Sequence, residues 1–343
     1  MKKIKKSVKI ITAVVLVIVL LLASGVIFYL SKLNLIKFSD GKFRWNGSID
    51  TNDSETIDEQ SRMNDAIADL GEKDAIDATG KIYKDKRFLN ILLIGTDEHT
   101  ENFSENARGD SCMIMSVGKK DGSLKLASLE RGMGMPILDG KYKGQYDWLT
   151  HTFRYGGADL MMREVRECFK VDVERYIRVN FATFKKGIEA VGGIDIELTA
   201  AEAGYVNEGT GLKKYTAGLN HLDGEAALVY ARCRHIDSDW HRIERQRNVI
   251  QAVVTKTKEL DIAELNGLLN NVLPLVQTNL TRLEITELLL LAPKYRGAEI
   301  KQMTVPVSGS YGGMRGLGGR SLFSVDFETN SRALREFIYG IKN

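Results

Sequence analysis

Residues 228–247 hold a dense group of charged side chains. This stretch contains five arginines and two aspartates, namely Arg232, Arg234, Arg242, Arg245, Arg247, Asp237 and Asp239. A guanidinium group offers paired donors in a planar fork that matches phosphate oxygens, so arginines that converge from one turn indicate an anionic, phosphorylated ligand. The structural alternative is a solvated turn in which the same arginines form salt bridges.

Two aspartates earlier in the chain lie beside predicted strands. The apolar run at 88–95 has the character of a strand buried on both faces, and Asp97 follows it. A polar loop then carries Arg108 and Asp110 into a second strand over 111–117. Mg²⁺ is typically held by one or two carboxylates plus substrate phosphates and water, so Asp97 and Asp110 are candidate magnesium ligands. Turn capping is the alternative role for both.

A third strand brings another arginine to the same place. Residues 118–122 are typical of a turn, and residues 123–129 predict the hairpin partner of the second strand. Arg131 lies two residues beyond the end of that partner. Two carboxylates and two arginines therefore come from neighbouring strand ends, where ligands collect in open α/β sheets.

Asp239 and the arginines around it have two interpretations each. Asp239 either caps a helix over 240–260 or orients an arginine or an acceptor hydroxyl. The free N–H groups at the start of that helix, beside Arg242, favour an anion. Arg232 and Arg234 diverge if the preceding helix continues and point to one side if the chain is extended, and a shared phosphate requires the extended form.

Three further stretches complete the candidate site. His151 has the chemistry of an acid or base, but a lone histidine is more often a hydrogen-bonded structural residue, which is the interpretation we favour. Residues 199–220 lack strong periodicity and predict a loop beside the site. The glycine-rich residues 309–319 suggest a flexible lid.

The elements between these residues predict an α/β fold. A strand at 175–180, a helix at 181–190 and a strand at 194–198 follow one another, which is typical of a layered α/β domain. Further predicted elements are helices at 223–231, 265–273 and 283–291, a strand at 301–307 and a closing helix from 330. The apolar residues of the last third indicate core packing and pocket walls.

Composition excludes a general nucleic-acid-binding face. The 343-residue chain has a net charge of +3 from 48 basic and 45 acidic residues. Five of the basic residues are the amino-terminal Lys2, Lys3, Lys5, Lys6 and Lys9. The remainder is slightly acidic, and helix-turn-helix or zinc-finger spacings are missing from the sequence.

The amino-terminal region predicts a single-pass membrane protein. Residues 10–30 have no charged side chain and are long enough to span a bilayer. The preceding lysines, in residues 1–9, place the amino terminus in the cytoplasm and the rest outside the cell. A cleaved signal peptide is the alternative. Residues 31–86 are polar and predict an extracellular spacer with one short helix, followed by a globular domain over 87–343.

The three cysteines lack metal-ligand spacing. Outside the cell, Cys112, Cys168 and Cys233 form either one disulfide with one thiol left over or three buried free thiols. The sequence supports no functional role for them.

Taken in order, the motifs resemble the LytR-CpsA-Psr family of cell-envelope proteins. The matching pieces are NILLIGTD at 90–97, ARGD at 107–110, LERG at 129–132, THTFRYGG at 150–157, VGGIDIEL at 191–198, LNHLDGEAALVYARCR at 219–234 and DSDWHRIERQR at 237–247. The resemblance implies a three-layer α/β/α domain with a mixed central sheet, outside the cell of a mostly Gram-positive bacterium. It also implies Mg²⁺-dependent transfer of a glycopolymer, such as wall teichoic acid or a capsule-like polymer, from a polyprenyl pyrophosphate carrier to peptidoglycan.

The resemblance also assigns roles to individual residues. Asp97 and Asp110 match carboxylates near Mg²⁺, and Asp239 matches an acidic residue required for activity. The residues that match pyrophosphate-binding arginines are Arg108, Arg131, Arg232, Arg234 and Arg242. Arg108 and Asp239 are the candidates for orienting or deprotonating the acceptor hydroxyl. An apolar tunnel for the lipid is expected in the leucine-rich carboxyl-terminal half.

Two departures from the family pattern keep other functions open. The family usually has Pro-Arg-Asp where this chain has Glu130, Arg131 and Gly132, so one carboxylate is missing. A lysine often found in the family is absent near Thr150. The alternatives to transfer are therefore hydrolysis of the polyprenyl pyrophosphate and non-catalytic binding of pyrophosphate-linked lipids in envelope regulation.

Overall fold

The computed structural model describes residues 31–43, 54–104, 107–259, 262–295 and 298–341. The predicted membrane span at 10–30 lies outside these ranges. Among the helices that are described, none is both long enough and apolar enough to cross a bilayer.

The fold is mixed α/β. Its strands are β1 (Lys37–Phe38), β2 (Phe88–Thr96), β3 (Gly109–Gly118), β4 (Leu124–Leu129), β5 (Gly134–Pro136), β6 (Tyr146–Trp148), β7 (Arg175–Asn180), β8 (Ile194–Leu198), β9 (Gly218–Leu222), β10 (Gln277–Thr278), β11 (Ile300–Val305), β12 (Tyr311–Arg315) and β13 (Ser321–Val325). Its helices are α1 (Ser54–Ile67), α2 (Leu149–Phe169), α3 (Phe181–Ala190), α4 (Ala200–Thr210), α5 (Gly224–Arg232), α6 (Asp239–Glu259), α7 (Ile262–Val272), α8 (Arg282–Tyr295) and α9 (Phe327–Tyr339).

A central mixed sheet organises the domain. In the described part of the chain its strand order is β1-β10-β7-β2-β3-β4-β11. Strands β2, β3 and β4 form an antiparallel meander, whereas β7 and β11 join its two sides in parallel. The strands predicted at 88–95, 111–117, 123–129 and 175–180 are therefore confirmed, with bounds that differ by at most two residues.

Helices cover both faces of this sheet. On one face, Leu92 and Ile114 pack with Met161 of α2 and Leu334 of α9. On the other face, Met113 packs with residues of α6, and helix α8 covers the neighbouring strands. Side chains alternate along a strand, so a buried strand packs against the helices on both faces of the sheet. For this reason the sequence of β2 is a continuous apolar run.

Two of the predicted loops are regular structure. Residues 199–220 contain helix α4 and the start of β9, which corrects the predicted loop. The Thr199 side chain accepts a hydrogen bond from the Glu202 backbone N–H, and the Glu202 carboxylate accepts one from the Thr199 N–H, so a capping box starts the helix. The buried residues of this helix are Glu202, Ala203 and Val206, so only two of them are apolar. The apolar periodicity was too weak to reveal the helix.

The glycine-rich stretch 309–319 is a hairpin arm and not an open lid. Strand β12 pairs antiparallel with β13 across the whole of its length. A Cβ atom on Gly312 would lie 2.7 Å from the Lys73 side chain, and one on Gly313 would lie 3.2 Å from Ile67. These glycines therefore allow the hairpin to approach α1 and the residues after it closely.

The described parts of the predicted spacer pack against the domain. Strand β1 pairs with β10 at the edge of the central sheet. In α1, Met63 packs with Trp148 and Phe323, and Ile67 joins this cluster. The polar composition of 50–59 hides this short apolar stripe, and α1 is consequently part of the site described below.

The cysteines are buried free thiols, the second of the two predicted alternatives. Cys112, Cys168 and Cys233 have no disulfide partner among the described residues. Burial raises the pKa of Cys233 to about 11, against the opposing effect of Arg245. Thiols of this kind are inert, which agrees with a packing role.

Candidate active site

Strands β2, β3 and β4 bring charged residues to one edge of the sheet. Asp97 directly follows β2, whose last residue pairs with Gly109 at the start of β3. Arg108 and Asp110 flank Gly109, and Arg131 lies two residues beyond β4, which pairs with β3. The juxtaposition expected from the strand ends is therefore present.

Asp97 holds Arg108 in place. The Arg108 backbone N–H donates to Asp97 Oδ1 at 3.0 Å, and its Nε donates to Oδ2 at 3.2 Å. Burial raises the pKa of Asp97, and the negative charge of Asp110 raises it further, while Arg108 opposes both. Asp97 and Asp110 follow directly after Thr96 and Gly109, which are paired across β2 and β3.

Asp110 is fixed from two sides. Arg131 NH1 donates to its Oδ1 at 3.2 Å, and the Thr150 hydroxyl donates to the same oxygen at 3.1 Å. Burial would raise the pKa of Asp110, but the charges of Arg131, Arg108 and Arg242 outweigh it and lower that pKa. Asp110 therefore stays ionised at neutral pH.

Arg131 is the centre of the cluster. It is buried, and its guanidinium contacts Glu59, Asp110 at 3.2 Å and Asp239 at 3.6 Å. Asp239 begins α6 and also contacts Arg242 NH1 at 3.5 Å. Asp239 thus orients two arginines, the second of its two predicted roles. The charges of Arg242 and Arg131 overcome the effect of burial and lower the pKa of Asp239.

A cavity of about 230 Å³ opens onto this cluster. Its charged lining residues are Glu59, Arg62, Asp65, Glu130, Arg131, Arg234, Asp237 and Asp239. Several buried polar atoms around it have no hydrogen-bond partner, among them Glu130 Oε1 and Arg242 Nε. Because unpaired buried polar atoms are costly, their concentration beside one cavity indicates a site for a polar ligand.

Comparisons with known proteins identify the family. The model of the LytR_cpsA_psr family matches residues 50–333. The chain belongs to the LytR-CpsA-Psr family. A relative from Enterococcus faecalis, named polyisoprenyl-teichoic acid–peptidoglycan teichoic acid transferase TagU, is 33% identical over 226 residues, which are 63% of this chain and 69% of that protein.

Solved structures of the LytR-CpsA-Psr family share the fold. A structure of TagT bound to LI-WTA has a TM-score of 0.59 and 21% identity, over 79% of this chain and 98% of that chain. A structure of YwtF (TagT) with bound octaprenyl pyrophosphate lipid has a TM-score of 0.56 and 20% identity, over 79% of this chain and 98% of that chain. The mixed central sheet predicted from the sequence is thus a family property.

The predicted pair Arg232 and Arg234 does not converge. Helix α5 continues through Arg232, which is exposed and lies with its guanidinium carbon 4.4 Å from the Phe181 ring centroid. Arg234 lies beyond the helix end and lines the cavity. The chain is therefore not extended across both residues, which corrects the expectation of a phosphate shared by this pair.

One arginine of the stretch 228–247, Arg245, has a structural role. Arg245 is buried and pairs with Glu202 at 2.7 Å and with Asp237. Its NH1 donates to the Cys233 carbonyl at 2.9 Å. These contacts fix the turn between α5 and α6, so the salt-bridge alternative holds for this arginine.

Helix α1 supplies site residues that the sequence did not reveal. The Glu59 side chain is only 3% exposed and contacts both Arg131 and Arg234, the latter at 3.3 Å. Asp58 also contacts Arg234, at 3.2 Å. The signal available in the sequence was the pair Asp58-Glu59 within an amphipathic stretch, but the abundance of acids there is equally typical of a solvated spacer.

Glu130 is the second residue missed. It is fully buried, and its Oε2 accepts a short hydrogen bond from the Gly132 N–H. Burial and the charge of Asp239 raise the pKa of Glu130 to about 7, against Arg242 and Arg131. The sequence did contain one signal, because Glu130 stands where the family usually has the proline of its Pro-Arg-Asp pattern.

His151 is structural, as the sequence interpretation favoured. It is buried, and its Nδ1 lies 3.2 Å from Asp147 Oδ2. The same carboxylate oxygen accepts hydrogen bonds from Arg320 and Tyr155. His151 is not among the residues that line the cavity.

Proposed function

We propose that the chain is a phosphotransferase that moves a glycopolymer, of the wall teichoic acid or capsule-like class, from a polyprenyl pyrophosphate carrier to peptidoglycan. The observation that carries this proposal is the cavity in which Arg62 of α1 and the loop residues Arg131 and Arg234 meet carboxylates. The names of the family relatives support the donor and acceptor classes. We further propose that residues 10–30 anchor the domain on the outer face of the membrane.

The diphosphate would bind at Arg131 and Arg234, which line the cavity. Planar guanidinium groups match phosphate oxygens, and in a buried cavity they stabilise negative charge more strongly than in water. Glu59 contacts both arginines, and Asp58 contacts Arg234. A diphosphate would therefore displace the α1 carboxylates from the two guanidinium groups.

Asp97 and Asp110 would hold Mg²⁺ together with phosphate oxygens. The described residues contain no group of three or more His, Cys, Asp or Glu residues suited to a metal. Two neighbouring carboxylates, one of which raises the pKa of the other, nevertheless suit a cation that takes most of its ligands from phosphate and water. When bound, Mg²⁺ would neutralise charge on the phosphates.

Asp239 and Thr150 position other side chains of the cluster. Asp239 holds Arg131 and Arg242, while Thr150 and Arg131 fix Asp110. In transfer, the acceptor hydroxyl attacks the glycan-linked phosphorus and polyprenyl phosphate departs. Preorganised guanidinium groups would stabilise the charge that grows on the departing oxygen.

We place an apolar path for the lipid on one face of the sheet. Leu93 of β2 and Ile177 of β7 are only half-buried although both strands are central. They pack in clusters with residues of α6 and α8. These partly buried apolar side chains support a polyprenyl chain between the sheet and these helices.

The test is transfer by the full chain in detergent micelles. The assay supplies a polyprenyl-pyrophosphate-linked oligosaccharide, MgCl₂ and peptidoglycan oligomers, and compares the native protein with Arg131→Ala and Arg163→Ala. Arg163 forms exposed ion pairs away from the cavity and is the matched control. We expect Arg131→Ala to lower kcat/KM by roughly 10²–10³-fold. Equal product from all three proteins would contradict the proposal.

The same assay separates the alternatives. Hydrolysis predicts Mg²⁺-dependent release of polyprenyl phosphate without peptidoglycan. A binding protein predicts retention of the lipid without turnover, and the α1 carboxylates that cover the arginines are the feature that favours it. Omission of the acceptor and of MgCl₂ in separate reactions decides between these outcomes.

A further inference from the structure

Glu130, a residue of the cavity wall, has a buried carboxylate oxygen without a hydrogen-bond partner. The residue is fully buried, and it lines the cavity together with Arg131 and Asp239. Its Oε2 accepts from the Gly132 N–H, whereas its Oε1 has no hydrogen-bond partner. A buried oxygen without a partner is energetically costly, and it is typical of a group that acquires its partner from a ligand.

Other acidic groups of the site are occupied. Both oxygens of Asp97 accept hydrogen bonds from Arg108. Asp110 accepts hydrogen bonds from Arg131 and Thr150. These hydrogen bonds stabilise the ionised forms, and in Asp97 they oppose the rise in pKa that burial causes.

Asp239 and Glu59, which also line the cavity, lie against arginines. Asp239 lies between Arg131 and Arg242, which lower its pKa. Glu59 also has one oxygen without a hydrogen bond, but its other oxygen contacts both Arg131 and Arg234. Both groups are thus paired with guanidinium groups.

Glycine at 132 leaves room for the Glu130 carboxylate. A Cβ atom on Gly132 would lie 3.1 Å from Glu130 Oε2 and 2.0 Å from Met63 Cε. A side chain there would crowd the carboxylate that folds back onto the Gly132 N–H. The conformation of Glu130 therefore suits the glycine at 132, where the family usually has aspartate.

We propose that Glu130 is the general base that accepts the proton of the acceptor hydroxyl. This inference rests on the proposed transfer function. The O–H proton passes to Glu130 Oε1 as the acceptor oxygen bonds to the glycan-linked phosphorus. The bond from that phosphorus to the bridging oxygen breaks, and its electron pair leaves with polyprenyl phosphate. Glu130 then returns the proton to water.

The surroundings of Glu130 suit this role. Asp239 and Arg242 face it from α6, Arg131 faces it from its own segment, and α1 brings Glu59 and Arg62 to the same cavity. Burial and Asp239 together raise its pKa to about 7. A general base is most effective when its pKa lies near the working pH.

The experiment measures the pH dependence of kcat for transfer by the full chain. It compares the native protein with Glu130→Gln, Glu130→Asp and Glu164→Gln. Glu164 is equally buried and its pKa is also raised, to about 8, but it does not line the cavity, so Glu164→Gln is the matched control. Circular dichroism and thermal unfolding verify that each variant is folded.

We expect Glu130→Gln to lower kcat by roughly 10²–10⁴-fold with little change in KM for the lipid donor. The acidic limb of the native pH profile, which falls near neutral pH, should be absent from the residual activity. Glu130→Asp, which keeps a carboxylate, should retain more activity than Glu130→Gln. Glu164→Gln should keep the native rate and profile.

Two results would overturn the inference in distinguishable ways. If the native protein transfers glycan and Glu130→Gln matches it in rate and pH profile, Glu130 is not the base while the proposed function stands. If the native protein gives no transfer at any pH, with or without MgCl₂, the proposed function fails and the role of Glu130 fails with it.

Discussion

The two sides of the arginine cluster are built differently. On one side Asp97 and Arg108 come from adjacent ends of the central sheet and bind each other. On the other side Arg131 and Arg234 bind carboxylates of α1, which enters from a segment far away in sequence. The first side is rigid because the sheet register fixes it, whereas the second depends on one docked helix.

The largest expected effect on stability comes from the residue shared by both sides. Arg131→Ala leaves Glu59, Asp110 and Asp239 buried without their common partner. We expect a loss of about 3–5 kcal/mol in the free energy of unfolding, because removal of one partner uncovers buried charge. Urea unfolding measures it, with Arg163→Ala as a surface control expected within about 0.5 kcal/mol of native. A loss as small as the control's would show that the cluster is solvated.

Glu130 provides a pH test of the same region. Its folded pKa of about 7 lies above the ordinary 4.5, so the native protein loses stability as pH rises through that interval. Glu130→Gln removes the loss and should be the more stable protein above about pH 7, by on the order of 3 kcal/mol. Below the ordinary glutamate pKa the two proteins should unfold alike. Thermal unfolding across pH measures the difference, and parallel curves would contradict the burial of an ionisable group.

Glu59→Gln sharpens the comparison between the two sides. It removes the charge that α1 places on Arg131 and Arg234, so we expect about 1–3 kcal/mol lower stability at neutral pH. It should also bind inorganic pyrophosphate more tightly, because the ligand no longer competes with a carboxylate. Calorimetric titration measures this affinity. Weaker pyrophosphate binding by Glu59→Gln would instead indicate that Glu59 helps to position the ligand.

The smallest predicted effect concerns the contact between α1 and Gly132. Gly132→Ala places a Cβ atom 2.0 Å from Met63 Cε, which has to move. Because methionine is flexible, we expect a loss of only about 1 kcal/mol. The double variant Gly132→Ala with Met63→Ala should show less than the summed loss, which a double-mutant cycle detects. Strict additivity would mean that α1 does not dock as described.

The same contrast explains which features were predictable. The strand β2 and the pair Asp97 and Asp110 follow from apolar runs that end in polar residues, a local pattern that the sheet preserves. Helix α4 was missed because its buried side chains are few, although Thr199 and Glu202 formed a recognisable capping box. Arg232 was misplaced because one further helical residue turned it away from Arg234.

The contribution of α1 to the site could not be predicted from local sequence patterns. Glu59 acquires its role only by meeting Arg131 and Arg234, which are distant in sequence, and nothing near Glu59 encodes that meeting. Glu130 lies beside Arg131, yet its raised pKa depends partly on Asp239 of α6, and its carboxylate occupies space that a side chain at Gly132 would crowd. Both residues therefore required the three-dimensional arrangement.

A crystal structure of the chain with polyprenyl pyrophosphate and Mg²⁺ tests the central claim most directly. We predict diphosphate oxygens within hydrogen-bonding distance of Arg131 and Arg234, with Glu59 displaced from both guanidinium groups. A diphosphate bound elsewhere, for instance at the exposed Arg232 with Glu59 still on Arg131, would contradict the account.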